Sequence, residues 1–169
     1  MPEIIVIAAL AESSRAIGYQ GKLPWSIPAD LQRFKQLTLH HTVIMGRKTW
    51  EFDIQRRPLR QRLNIIITSQ SDQSDLQPTD KNNSLGVWFV RSLSEALDRC
   101  SNQEKVFIMG GASIYTPAID LADQLELTIV EGNYPGDVFF PMYPIDDNFN
   151  LVKRESREGY RFETYARIF

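Results

Sequence analysis

Asp30 is the residue of this chain whose position most requires a reason. It stands within Ile27-Pro28-Ala29-Asp30-Leu31-Gln32-Arg33-Phe34-Lys35. Pro28 suits the first turn of a helix and fits poorly inside one, so a helix is expected to begin at Ile27 or Pro28. Ile27, Leu31, Phe34 and Leu37 or Thr38 then recur at helical spacing. Asp30 falls three residues after Ile27 and four before Phe34, which sends its carboxylate out beside that apolar stripe. An ionised carboxylate there costs several kcal/mol unless a cation or a hydrogen-bond donor meets it. Two readings stay open: an acidic residue favoured in the first turn by the helix dipole, or a ligand-binding carboxylate at the floor of a pocket.

Three further groups could hold anions. Met109-Gly110-Gly111-Ala112-Ser113 follows an apolar run and opens a helix, so its backbone can approach a diphosphate and present amide hydrogens to it; close strand–helix packing would also explain the two glycines. The Rossmann fingerprint G-x-G-x-x-G is absent, which excludes the standard dinucleotide fold. Gly46-Arg47-Lys48-Thr49 puts two cations after a buried strand and at a helix start, while Ser69 and Arg91 follow two other apolar runs. Arg57, Arg60 and Arg62 surround Leu59, and an arginine can clasp a carboxylate through two parallel hydrogen bonds. Solvated surface charge is the plain alternative for each basic group. Thr128, taken alone, is a β-favouring residue in an apolar run.

The elements that must position these groups are legible as six apolar runs: Ile4 to Leu10, Thr42 to Met45, Leu63 to Thr68, Val87 to Val90, Val106 to Met109 and Leu125 to Val130. Their continuity predicts strands buried on both faces. Helices are expected over Pro28 to Thr38, Leu93 to Cys100 and Ser113 to Leu121, with a short turn starting near Lys48, and Ser92 with Glu95 has the spacing of a capping box. This alternation predicts an α/β fold with a mostly parallel central sheet, flanking helices and right-handed crossovers. Phe149 to Ser156 and Tyr160 to Ile168 alternate apolar and polar residues about Arg157-Glu158-Gly159, which predicts a C-terminal antiparallel hairpin. Residues 70–86 read as a polar connection.

At 169 residues the chain fits one domain, 1–169, with a single core and no room for a fused second enzyme. A formal net charge of −2 gives no sign of a general polyanion-binding surface, so nucleic acid is a poor candidate partner. Cys100 is the single cysteine, in keeping with a reducing compartment. The first apolar run follows Glu3 and lacks a basic leader, and nothing approaches the ~20 apolar residues of a membrane span. A cytoplasmic monomer without a membrane partner is the expectation.

Several motifs together carry a resemblance. Ile7-Ala8-Ala9-Leu10, Ala16-Ile17-Gly18, Leu23-Pro24-Trp25, Pro28-Ala29-Asp30-Leu31, Val43-Ile44-Met45-Gly46-Arg47-Lys48-Thr49-Trp50, Arg57-Pro58-Leu59, Asn64-Ile65-Ile66-Ile67-Thr68-Ser69, Ile108-Met109-Gly110-Gly111, Leu127-Thr128 and Gly136-Asp137 before Phe140-Pro141 stand in the order and spacing of the dihydrofolate reductases. In this respect the chain resembles that family from residue 4 to about residue 141.

The resemblance implies NADPH-dependent reduction of 7,8-dihydrofolate to 5,6,7,8-tetrahydrofolate, in support of one-carbon metabolism. It places Asp30, Trp25 and Leu23 at the chemistry, with Asp30 on the pterin's amidine-like edge and a water beside Leu23 as proton carrier. Ile7, Ala8, Leu31, Phe34, Ile54, Leu59, Arg62 and Thr128 would bind substrate, Arg62 on the glutamate α-carboxylate and Thr128 on the pocket carboxylate. Ala9, Ile17, Gly18, Gly46, Arg47, Lys48, Thr49, Thr68, Ser69, Arg91 and the run Met109, Gly110, Gly111, Ala112, Ser113, Ile114 and Tyr115 would hold NADPH, with a cis peptide at Gly110-Gly111. Arg47, Ser69 and Arg91 would meet its 2′-phosphate. Gly18, Asp137 and the Leu23 segment resemble paired loops that close over the nicotinamide. No metal site is implied.

The chain departs from the family pattern in Lys48, where bacterial relatives often carry histidine, and in Gln61, where they commonly carry glycine. Two extra residues also lie between Glu51 and Arg57. A reductase of pyrimidine or pterin precursors on the same fold is the nearest rival, opposed by Trp25, Asp30, Phe34 and Arg62. A catalytically silent NADPH-binding module is the rival from another class.

Overall fold

Each apolar run becomes a strand within a residue or two of its expected ends. The computed structural model describes residues 1–69, 86–143 and 147–169, so the polar connection expected over 70–86 lies almost wholly outside the described residues. In chain order the elements are β1 (Glu3–Ala11), β2 (Ala16–Gly18), α1 (Pro28–Thr38), β3 (Thr42–Gly46), a π-helical turn (Thr49–Asp53), β4 (Leu63–Ile67), β5 (Gly86–Val90), α2 (Leu93–Arg99), β6 (Lys105–Ile108), α3 (Ala112–Leu121), β7 (Gln124–Val130), β8 (Val138–Phe139), β9 (Phe149–Arg157) and β10 (Tyr160–Arg167). Eight of the strands form one sheet in the order β5-β4-β3-β6-β1-β7-β10-β9. The β5-to-β7 part is parallel throughout, and β10 and β9 close it as the antiparallel hairpin.

Alternation along the strands divides the core between the two faces of this sheet. Ile4, Val6, Ala8 and Leu10 of β1 join Ala96 of α2 and Ala118 of α3 on one face. Ile5 and Ile7 join Val43, Met45, Trp50 and Phe107 on the other, against which Phe34 and Leu37 of α1 pack. Helix α1 starts at Pro28 with an extended Ile27 before it, so proline's missing N–H falls where no intrahelical partner exists. Helix α2 forms the serine half of the expected capping box, with Ser92 Oγ accepting from the Glu95 amide at 3.0 Å, while the Glu95 carboxylate reaches one residue past the N-cap and accepts from the Arg91 amide at 2.8 Å.

Two local features had no sequence signal. Ala16 and Gly18 of β2 pair with Phe139 and Val138 of β8 in a separate two-stranded ribbon, tying loops about 120 residues apart. Gly136 enters this contact because a Cβ there would lie 2.3 Å from the Ala16 Cβ. The second feature is the π-helical form of the turn after β3, which closes with the Arg56 amide on the Trp50 carbonyl at 2.8 Å.

Candidate active site

The parallel strands all point their C-terminal ends toward one edge of the sheet, and the cleft opens there, as crevices do in open α/β sheets. It encloses about 510 Å³ between β1, α1, the π-helical turn and the strand end at Met109-Gly110-Gly111. Asp30 stands at its floor. The Thr128 hydroxyl of β7 donates to Asp30 Oδ1 at 2.5 Å. Burial raises the proton affinity of this carboxyl above the usual range, with the Thr128 hydrogen bond and then the Arg33 charge opposing the shift. Asp30 therefore lines the cleft, and its carboxylate accepts from a hydroxyl 98 residues away in sequence.

Leu31 corrects the helix reading. It is 62% exposed and lines the cleft, so the apolar stripe of α1 leaves the core at this residue and becomes a wall. Ile7, Ala8, Ala9, Ile17, Leu23, Phe34, Thr49, Ile54, Leu59, Met109, Gly110, Gly111, Tyr115 and Thr128 complete what the sequence brought to this cavity. The Tyr115 hydroxyl donates to the Ile7 carbonyl at 2.8 Å, and burial, followed by the charges of Asp53 and Asp30, pushes its pKa far up. Tyr115 is thus a neutral strut.

Trp25 and Arg62 lie outside the cleft wall. Trp25 is half-buried and meets Tyr134 edge-on at 5.3 Å, bracing the Leu23 loop. Arg62 is 5% exposed; its Nε donates to the Arg60 carbonyl at 2.8 Å and Nη1 to Thr38 Oγ1 at 3.0 Å. That fixes the guanidinium plane at the end of α1. Burial lowers the Arg62 pKa, yet guanidinium stays cationic. Gln61 has φ 59°, the left-handed region where glycine would be unstrained.

At the cofactor edge the register does the positioning. Gly46 pairs with Ile67, and Ile67 with Val90, so Arg47, Thr68 and Arg91 each stand one residue beyond an aligned row, with Ser69 next to Thr68. Arg47 Nε donates to Glu51 at 2.8 Å; Arg47, Lys48, Ser69 and Arg91 are exposed. Beside this edge, Gly110 and Gly111 are joined by a cis peptide, and Gly110 has φ 138°. A Cβ on Gly110 would lie 3.2 Å from Thr49 Oγ1, and one on Gly46 3.1 Å from Ile114. Helix α3 begins directly after them at Ala112, with Ser113 exposed in its first turn. The turn is shaped for a close backbone approach at a helix N-terminus.

The same structure shows what sequence reasoning passed over. Gly21, Lys22, Arg33, Phe52 and Asp53 also line the cleft. Phe52 and Asp53 come from the π-helical turn, within the stretch noted as two residues longer than the family pattern. Asn64, fully buried, accepts from the Leu59 amide at 2.9 Å and donates to the Leu59 and Arg62 carbonyls at 3.0 Å each. It pins the loop carrying both expected substrate contacts. Among the described residues no group of three or more His, Cys, Asp or Glu side chains could hold a metal, and no helix is long and apolar enough to cross a membrane.

Comparison with known proteins agrees with this geometry. The family model described as dihydrofolate reductase matches residues 3–168. Curated relatives named dihydrofolate reductase include one from Bacillus subtilis, 40% identical over 85% of this chain and 79% of its own length. Another, from Neisseria meningitidis serogroup A, is 43% identical over 98% of this chain and 96% of its own. Among solved structures, the dihydrofolate reductase from Enterococcus faecalis complexed with NADP(H) and RAB-propyl superimposes with a TM-score of 0.80 at 32% identity, covering 98% of this chain and 96% of that one.

Asp30 yields a prediction on stability. Its folded-state pKa lies above its unfolded value, so the ionised group opposes folding and stability falls as pH rises through that interval. Replacing Asp30 by Asn should raise the urea midpoint at pH 7 and leave it nearly unchanged once the pH is low enough to protonate the carboxyl in both states. A midpoint lowered at pH 7 would contradict the desolvation argument.

Proposed function

This chain belongs to the dihydrofolate reductase family, and from that premise we propose how its residues carry out the NADPH-dependent reduction of 7,8-dihydrofolate to 5,6,7,8-tetrahydrofolate. The observation that carries the reading is the Asp30–Thr128 pair at the floor of a cleft whose far wall is the Gly110-Gly111 turn. Asp30 accepts paired hydrogen bonds from the amidine-like edge of the pterin, fixing the ring and raising its affinity for a proton. Thr128 donates to Oδ1 alone, which leaves the second lone pair of that oxygen and the whole of Oδ2 open to the substrate's two donors. Leu31, Phe34, Ile54 and Leu59 give the aminobenzoyl group apolar walls, and Arg62 meets the glutamate α-carboxylate at the outer end.

The residues present fit NADPH. The close approach permitted at Gly46, Gly110 and Gly111 suits the diphosphate, and Arg47, Ser69 and Arg91 at aligned strand ends suit the 2′-phosphate. Lys48, Thr49, Thr68, Ala112, Ser113 and Ile114 complete that edge, with Ala9, Ile17, Gly18 and Tyr115 toward the nicotinamide. When bound, NADPH supplies a hydride to the carbon of the substrate's C=N bond. Asp30 is too occupied with the ring edge to reach the reduced nitrogen. Leu23, 53% exposed, instead flanks the passage by which a water brings that proton. Closure of the Leu23 segment, held by Trp25, excludes bulk solvent. The β2–β8 ribbon anchors this loop, with the Asp137 amide on the Gly18 carbonyl and the Gln20 amide on the Asp137 carboxylate, both at 3.0 Å. In this reading the chain acts as one domain over 1–169, a monomer in the cytoplasm.

The primary test follows NADPH absorbance with dihydrofolate present. The wild-type protein should turn over, and Asp30→Asn should lose most of kcat while its NADPH affinity holds. Full activity in that variant would misplace the pocket.

Arg62→Ala should weaken dihydrofolate binding by roughly 1.5–3 kcal/mol and leave a pterin without the glutamate tail almost unaffected. Equal losses for both ligands would point to misfolding or to Arg60.

Arg47→Ala and Arg91→Ala should each lower the ratio of kcat/KM for NADPH to that for NADH, and added salt should reduce wild-type discrimination. An unchanged ratio in both variants would remove the 2′-phosphate from this edge.

A further inference from the structure

The Asp30–Thr128 contact has a neighbour built on the same two elements. Asp30 and Arg33 are three residues apart on α1, and Thr128 and Glu126 are two apart on β7, so each pair shares a face. Arg33 Nη2 donates to Glu126 Oε2 at 2.6 Å, the two side chains being 21% and 6% exposed. Glu126 is the better held: Gln124 Nε2 donates to it at 2.6 Å and Thr164 Oγ1, from the facing position of β10, at 3.0 Å. The Arg33 guanidinium also lies 4.5 Å from the centroid of the Phe162 ring, which fixes its plane. Arg33 lines the cleft.

A structural brace between helix and sheet would account for the ion pair alone. It does not account for placing the cation inside the ligand cavity, one helical turn from the Asp30 carboxylate, when an apolar pair could close the same gap at lower desolvation cost. We propose that Arg33, locked by Glu126, is a positioning residue that sets the electrostatic potential at Asp30 and thereby limits how readily a ring bound there takes up a proton. The inference rests on the Asp30 assignment made above.

Other charged or titratable groups face this pair from every side. Thr128 and Glu126 come from β7, Asp53 from the π-helical turn, Tyr115 from α3 and Lys22 from the loop after β2. Behind Arg33, Glu155 and Arg157 of β9 flank Phe162. Among the described residues, only Arg33 stands both in the cleft and on the same helix face as Asp30 with a buried counter-ion fixing it. Its removal leaves more negative potential at the floor of the cleft. Removal of Glu126 leaves the Arg33 charge uncompensated, and the potential becomes more positive.

Arg33→Gln and Glu126→Gln should therefore move Asp30 in opposite directions, which no loss of bracing would do. The free protein is labelled with 13C at aspartate carboxyls, Asp30 is assigned with Asp30→Asn, and its titration is followed by NMR without any turnover. The midpoint should rise in Arg33→Gln and fall in Glu126→Gln by about half a pH unit each, roughly threefold in proton affinity, and Arg33→Lys should stay near wild type. In the active enzyme the alkaline limb of kcat should move to higher pH in Arg33→Gln and to lower pH in Glu126→Gln; it reports the coupled carboxylate and substrate. Shifts of the same sign, or none, in the NMR titration would overturn the proposal. Opposite NMR shifts with no turnover in the wild-type protein would instead overturn the functional assignment beneath it.

Discussion

A carboxylate cannot be taken out of water without something to receive it, and in this chain what receives it is a strand almost a hundred residues away. The Thr128 hydroxyl meets Asp30 across 98 positions of sequence, so the site exists only when α1 lies across β7 in one register. That register is enforced from below by the β1–β7 pairing of Ile7 with Glu126 and Ala9 with Thr128. A shift of one residue would turn Thr128 and Glu126 to the opposite face and leave both acidic groups of the α1 interface without partners. The chemistry of the pocket and the correctness of the fold are one constraint.

The other half of the site follows from parallel pairing. In an antiparallel sheet the ends of successive strands lie on opposite edges; here β3, β4 and β5 finish together, and each hands the next residue to the same edge. Arg47, Thr68 and Arg91 thus converge without being close in sequence. The glycines opposite act by omission. Gly46 and Gly110 each sit where a Cβ would press on Ile114 or Thr49, so side chains there would fill space that the backbone of the cradle occupies.

Legibility in the sequence divides along physical lines. The buried strands could be read because burial on both faces writes itself as an uninterrupted apolar run, and α1 could be bounded because Pro28 has one comfortable place in a helix. Asp30 stood out against its apolar neighbours. What could not be read was set by contacts that leave no local pattern. Ala16–Gly18 and Val138–Phe139 are too short for any periodicity, and their partners lie at the far end of the chain. The π-helical turn differs from an α-helical one only in hydrogen-bond spacing, so its delivery of Phe52 and Asp53 to the cleft had no composition signal beyond the added length. Leu31 fits the apolar stripe equally well as core or as cavity wall. Arg33 reads as an ordinary solvated helix residue, and Glu126 as a stray charge in a buried strand; only when paired do they explain each other. Asn64 belongs to the apolar run of β4, where its side chain holds the loop before that strand.

These misses have a common cause, and it bears on how such a site is stabilised. A core residue contributes through area removed from water, a property it announces locally. A polar residue under a helix contributes only through the particular partner it finds, since unpaired it would cost what paired it roughly recovers. Two such pairs stand side by side at and beneath the cleft, one neutral-to-anion and one cation-to-anion, between the same helix and the same strand. Neither adds much to net stability. Their effect is to make alternative seatings of α1 expensive, because any slide or rotation strands Asp30, Arg33 and Glu126 at once. Specificity of position is then obtained at small cost in free energy, and the open side of the cleft, walled by Leu23, Leu31 and Phe52, is left free to close on a ligand.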